Sequence, residues 1–101
     1  MTTPLTVDTR GREDGTYVVV AAGEIDLSNV KSFAEALDAA IEAAQSETVA
    51  VDLGAVDYLD SGAINALFAH AGRIAVVANP ILLPVLNVSG LTELVPVEPA
   101  Y

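Results

Sequence analysis

The chain has 101 residues, of which 52% are apolar and only 5% aromatic, so the composition predicts one domain (residues 1–101) with an aliphatic core. The formal net charge is -10 with four basic residues, too few to bind nucleic acid or an anionic membrane surface. There is no cysteine, which excludes disulfides and thiolate chemistry. No secretory signal is visible and no apolar run can span a bilayer, so we expect a cytoplasmic protein without direct membrane insertion.

The first half of the chain predicts a hairpin followed by a helix. Alternating residues 5–9 indicate an edge strand, and the polar segment 10–15 indicates a loop into a second strand at 17–22. Gly23-Glu24-Ile25-Asp26 is interpreted as an acidic loop that leaves this strand. Ser28 is a candidate N-cap for the helix that follows. Its apolar residues recur at helical spacing: Val30, Phe33, Ala34, Leu37, Ile41 and Ala44.

The Val-rich run 48–53 predicts a central strand covered on both faces, with Asp52 near its exposed end. After a turn, residues 61–71 have the spacing of a second amphipathic helix, and Gly72 is typical of a residue that closes one.

The last third predicts a strand at 74–78 and a third helix that starts at either Pro80 or Pro84. Gly90 ends this helix, and 95–98 is a short final strand.

This element order predicts an α/β fold with a mixed, mostly parallel sheet of four or five strands, crossover helices and an N-terminal antiparallel hairpin. Functional residues in such sheets gather in loops at the carboxyl ends of the strands. We therefore expect three loops, 24–28, 57–62 and 79–80, to lie at the same end of the sheet.

Catalysis and cofactor binding find little support. Ser61 and His70, the only histidine, are nine residues apart on one predicted helix and fall on opposite faces, so no triad forms and no enzyme is predicted. Asp52, Asp57 and Asp60 cluster near one predicted strand end, but no Gly-spaced cation loop accompanies them. No Gly-rich loop precedes a helix, so no nucleotide site is predicted. Neither a metal nor another cofactor is expected.

Ser61 has two interpretations from its position alone. It follows Asp60 at a predicted helix start, where a serine commonly serves as the N-cap. It is also well placed to accept a phosphoryl group, because the unpaired amides of a helix start tolerate negative charge.

Three motifs carry a family resemblance over nearly the whole chain. They are Gly23-Glu24-Ile25-Asp26, Asp57-Tyr58-Leu59-Asp60-Ser61 and Val88-Ser89-Gly90-Leu91, each in the matching element. With them the chain resembles STAS domains, in particular the bacterial anti-sigma factor antagonists (anti-anti-sigma factors).

The resemblance implies a regulator that binds an anti-sigma factor, often a serine kinase, and thereby frees a sigma factor for transcription. Phosphorylation by that kinase at Ser61 would switch binding off, and a phosphoserine phosphatase would reverse it. The implied partner-binding residues are Glu24, Asp26, Asp57, Asp60, Ser61 and Gly62.

Two departures from the family pattern leave an alternative open. Gly62 and Ala63 stand where a second hydroxyl residue and then glycine are usual, and the segment 81–83 is apolar where basic and polar residues are common. The alternative is a STAS scaffold or ABC-transporter accessory protein whose serine is never phosphorylated. The apolar segment implies a partner or a second copy of the chain, as in a homodimer.

Overall fold

The computed structural model describes residues 3–45 and 47–100, which form one five-stranded sheet covered by helices. The strand order follows the chain, with the first pair antiparallel and the remaining pairs parallel. This confirms the predicted α/β class and the N-terminal hairpin. The elements are β1 (Thr6–Gly11), β2 (Tyr17–Ile25), α1 (Val30–Ala44), β3 (Val49–Leu59), α2 (Ser61–Ala69), β4 (Ile74–Ala78), α3 (Leu83–Val88), α4 (Leu91–Leu94) and β5 (Val97–Pro99).

The core lies between the helices and one face of the sheet. Alternate strand residues such as Val19, Val51 and Val76 join Phe33 and Leu37 of α1 in one buried cluster. Because sequential parallel strands are joined by right-handed crossovers, every connecting helix lies on the same side of the sheet. The opposite face, here called the open face, carries no helix, and its residues are only half-buried along β2 and β4. The prediction that β3 is covered on both faces was therefore wrong.

β2 and β3 run further than the sequence predicted. Gly23 to Ile25, predicted to be a loop, belongs to β2, and β3 continues to Leu59. The two strands stay paired beyond the end of β4, where Glu24 pairs with Tyr58, and two register shifts absorb the irregular stretch between them. Asp52 consequently lies in the middle of β3 and not near its end.

The ends of the first two helices also differ from prediction. α1 begins at Val30 after Asn29, because the Ser28 hydroxyl bonds Asp26 and is not available to cap the helix. α2 stops at Ala69, and Gly72 lies in a short 3-10 helix, Ala71–Arg73, that leads into β4.

Both prolines of the predicted third helix begin a helical segment. Pro80 is the first residue of a 3-10 helix, Pro80–Leu82, and Pro84 lies in the first turn of α3, where a missing amide costs no intrahelical bond. Gly90 adopts φ +86 and ends this region, but α4 then follows, a helix that the sequence did not predict. Among the described residues, no helix has the length and apolar character needed to cross a membrane.

Candidate functional site

The carboxyl ends of β2 and β3 bring two acidic loops together. The Asp60 amide donates to the Ile25 carbonyl over 3.1 Å, so loops 24–28 and 57–62 adjoin as predicted. The third loop does not join them. Asn79 bonds the carbonyls of Leu53 and Val56 instead, because β3 continues well past the end of β4.

Asp60, and not Ser61, is the N-cap of α2. Asp60 has extended backbone angles, and its Oδ1 accepts a hydrogen bond from the Ala63 amide over 3.1 Å. Ser61 is the first helical residue and its side chain is exposed. The interpretation of Ser61 as an N-cap was therefore wrong, and its hydroxyl has no capping role in the fold.

We expect Asp60→Ala to lower the free energy of unfolding by about 1 kcal/mol, the usual cost of losing an N-cap. Asp57→Ala is the matched control, because it removes the same charge from an exposed position and leaves the Asp60 cap intact. Urea denaturation of both variants measures the difference. Equal losses from the two would mean that charge, and not the cap, matters here.

Gly62 lets the start of α2 approach α1. A Cβ at this position would lie 3.2 Å from the capping Oδ1 of Asp60 and 3.4 Å from Cγ2 of Val30. A hydroxyl residue at 62 would thus crowd the cap and the first residue of α1. The contact gives a packing reason for glycine at the position where the family usually has a hydroxyl residue.

Glu24 is held in place by the N-terminal segment. The Thr3 amide donates to Glu24 Oε2 over 3.0 Å, and the Glu24 amide donates to the Thr3 carbonyl over 3.2 Å. This contact was not predicted from the sequence. Its only sequence signal is Gly23, whose φ of +99 and lack of a Cβ allow the Pro4 carbonyl to approach.

Asp26 is engaged by its own loop. Its Oδ1 accepts from the Ser28 hydroxyl over 2.5 Å and from the Ser28 amide over 2.9 Å. These bonds hold the pKa of Asp26 below its ordinary value. The Asp26 amide in turn donates to Asn29 Oδ1, so the loop is ordered up to the start of α1.

We expect Ser28→Ala to raise the pKa of Asp26 toward its ordinary value. A carboxylate whose pKa is lower in the folded than in the unfolded state increases the free energy of unfolding at pH values above the unfolded-state pKa. That contribution is lost as the pH falls through the folded-state pKa. In Ser28→Ala, the free energy of unfolding should therefore fall less on acidification than in the parent protein. Carboxyl NMR titration measures the shift. Asp14, whose pKa is lowered by Thr16, is the internal control and should not change.

The other candidate chemistries do not assemble. Asp52 bonds the Gly54 amide in mid-strand, Asp57 is exposed and Asp60 caps α2, and no group of three acidic or histidine residues in the described ranges could hold a metal ion. His70 lies beyond the far end of α2 from Ser61, with Nε2 2.7 Å from Asp38 Oδ1.

The two adjoining loops form a surface that is acidic and partly apolar, here called the loop surface. Within residues 3–45 and 47–100, the contacts between basic and acidic side chains are Arg10–Asp8 and His70–Asp38, so no basic side chain pairs with the loop carboxylates. Leu27, 86% exposed, and Tyr58, 50% exposed, add apolar area that the sequence analysis did not single out. The loop surface consists of Glu24, Asp26, Leu27, Asp57, Tyr58, Asp60 and Ser61.

Comparison with known proteins agrees with this fold. The model of the STAS_2 family, described as Mlab, STAS domain, matches residues 9–96. A search of curated protein sequences found no match.

Solved structures extend the similarity. The crystal structure of an anti-sigma factor antagonist from Mycobacterium paratuberculosis is 26% identical, with a TM-score of 0.85 over 99% of this chain and 92% of that one. SpoIIAA is 22% identical in both forms. Its unphosphorylated form has a TM-score of 0.67 over 95% of this chain and 89% of that one. The phosphorylated form, from Bacillus, has a TM-score of 0.62 over 95% and 92%. At this identity SpoIIAA supports the fold alone.

The sheet order, the antiparallel first hairpin and the helix start after β3 define a STAS-like domain. The chain belongs to the STAS_2 family. The resemblance to STAS domains is thereby confirmed.

Proposed function

We propose that this protein is an anti-sigma factor antagonist that binds a serine-kinase anti-sigma factor through the loop surface and releases a sigma factor in the cytoplasm. Phosphorylation of Ser61 switches the binding off, and a phosphatase restores it. The protein is a substrate and a binding partner with no catalysis of its own. The similarity to an anti-sigma factor antagonist over nearly the full length of both chains supports this role.

The observation that carries the proposal is that Asp60 caps α2 and leaves the adjacent Ser61 without a structural role. Asp60 caps α2, so the Ser61 hydroxyl is exposed and free of a structural task. A phosphoryl group on it would sit at the first turn of a helix, where backbone amides favour negative charge. Modification would therefore alter the docking surface without disturbing the core.

The test is incubation of the purified protein with its anti-sigma factor and ATP, followed by mass spectrometry and a binding assay. Phosphate is expected on Ser61, together with loss of the complex. Ser61→Ala should bind and remain unphosphorylated. Phosphate on another residue, or a complex that persists after Ser61 is fully phosphorylated, contradicts the switch.

A second candidate function is the STAS scaffold or ABC-transporter accessory that is never phosphorylated. Gly62 favours it, because this position lacks the second hydroxyl usual in phosphorylated antagonists and a Cβ there would lie 3.2 Å from Asp60 Oδ1, a tight contact. Affinity purification that recovers a transporter permease, with no anti-sigma factor and no phosphate on Ser61, supports this function over the first.

A further inference from the structure

The open face of the sheet has the composition of a covered face. A strand with one face in water usually alternates apolar core residues with polar solvent-facing residues, whereas a strand buried on both faces is nearly continuously apolar. On this face β1 presents Thr6, Asp8 and Arg10, whereas the inner strands present mostly small apolar side chains. They are Val18, Val20 and Ala22 of β2, Ala50 of β3, and Ala75 and Val77 of β4.

A depression of about 450 Å³ opens on this face. Val20, Ala55, Pro80 and Ala100 contribute to its wall, and among the described residues Asp52 is the one side-chain carboxylate that lines it. Asp52 Oδ1 accepts from the Gly54 amide over 2.9 Å, and no ion pair involves Asp52 in the part of the chain that the structure describes. A half-buried carboxylate thus lies within an apolar surface with no basic neighbour paired to it.

The two margins of the open face differ in charge. Glu98 lies beside Val77 and adds a second carboxylate, whereas Asp8, beside Val20, is paired with Arg10. A second copy of the chain, with net charge -10, would bring like charges together on this face. An apolar cover without a cation would leave the Asp52 carboxylate desolvated and unpaired.

We propose that the open face docks an apolar segment of a protein partner that inserts a lysine or arginine into the depression and pairs it with Asp52. The apolar strands supply contact area, and the carboxylates of Asp52 and Glu98 supply charge complementarity to a cation. This surface is separate from Ser61, so the chain carries two docking sites, of which one is independent of phosphorylation.

The test uses the full chain with the photo-crosslinker p-benzoylphenylalanine at Ala55, an exposed residue that lines the depression, in the cells that produce the protein. The matched control has the crosslinker at Ala39, which is exposed on α1. An adduct at 55 and not at 39, mapped by mass spectrometry to an apolar segment containing Lys or Arg, is expected. An adduct with a second copy, with an acidic segment, equally at both sites, or at neither site overturns the proposal.

Asp52 variants test the ion pair. Asp52→Asn, which retains the size of the side chain, should weaken binding of a synthetic peptide of the crosslinked segment by about tenfold or more. Asp52→Lys should abolish binding, and a Lys→Glu or Arg→Glu peptide should recover it with that variant. Glu42→Gln, exposed on α1, controls for net charge. Asp52→Asn with native circular dichroism and unchanged affinity overturns the proposal.

Ser61→Glu distinguishes failure of the open-face docking site from failure of the proposed Ser61 switch. Ser61→Glu should leave the adduct at 55 and the peptide affinity unchanged, because Ser61 lies outside the open face. If Ser61→Glu removes the adduct, the two surfaces are one and the proposal of a second site is wrong.

Discussion

Ser61→Glu is expected to weaken binding of the anti-sigma factor by more than a hundredfold, whereas Ser61→Ala binds like the unmodified protein. In the complex, a carboxylate at position 61 would be desolvated beside the carboxylates of Asp57 and Asp60, whose like charges raise the cost. Leaving a charge buried and unpaired costs about 3 kcal/mol or more, which corresponds to more than two orders of magnitude in affinity. Isothermal titration calorimetry with the purified partner measures the change.

Ser61→Gln is the control that separates charge from size. It adds a side chain of the same length without the charge, so most of the affinity should survive. The stability of all three variants should stay within about 1 kcal/mol of the parent protein, since position 61 is exposed and a carboxylate at a helix start is tolerated. If glutamine weakens binding as much as glutamate does, the switch depends on shape and not on charge.

The fold class was predictable from the sequence because local patterns and topology agree. Alternation in β1 and the 3.6-residue spacing of Phe33 and Leu37 in α1 are local signals that tertiary packing reinforces. The right-handed crossover rule then fixes which side of the sheet the helices occupy. For strands in sequential order, the same rule also predicts an open face on the other side of the sheet. The Val-rich composition of β3 instead led to the prediction that this strand is covered on both faces.

The details of the candidate site were harder to predict because they depend on pairing between distant segments. β3 reaches Leu59 because β2 offers it a partner beyond β4, and no pattern within β3 signals this extension. Asp60 and Ser61 are both good capping residues, and the structure selects Asp60, whose amide is bonded to the Ile25 carbonyl at the end of β2. When two adjacent residues have equal N-cap propensity, only such tertiary contacts decide which of them caps the helix.

Gly23→Ala is expected to destabilise the fold by about 2–4 kcal/mol, because two independent penalties act at this position. The backbone has φ +99, which residues with a Cβ rarely adopt, and the new Cβ would lie 2.2 Å from the Pro4 carbonyl oxygen. Gly72→Ala is the matched control. A Cβ added at Gly72 would meet no heavy atom within 4 Å, and Gly72 has no positive φ. The free energy of unfolding should therefore change by no more than about 0.5 kcal/mol. Urea denaturation measures both.

A truncation that begins at Leu5 separates the two penalties. Without the Pro4 carbonyl only the backbone strain remains, so Gly23→Ala should cost less in the truncated protein than in the full chain. The truncation also removes the two hydrogen bonds between Thr3 and Glu24, and binding of the anti-sigma factor should weaken even with Gly23 intact. If Gly23→Ala costs the same in both backgrounds, the close approach of Pro4 is not what requires glycine.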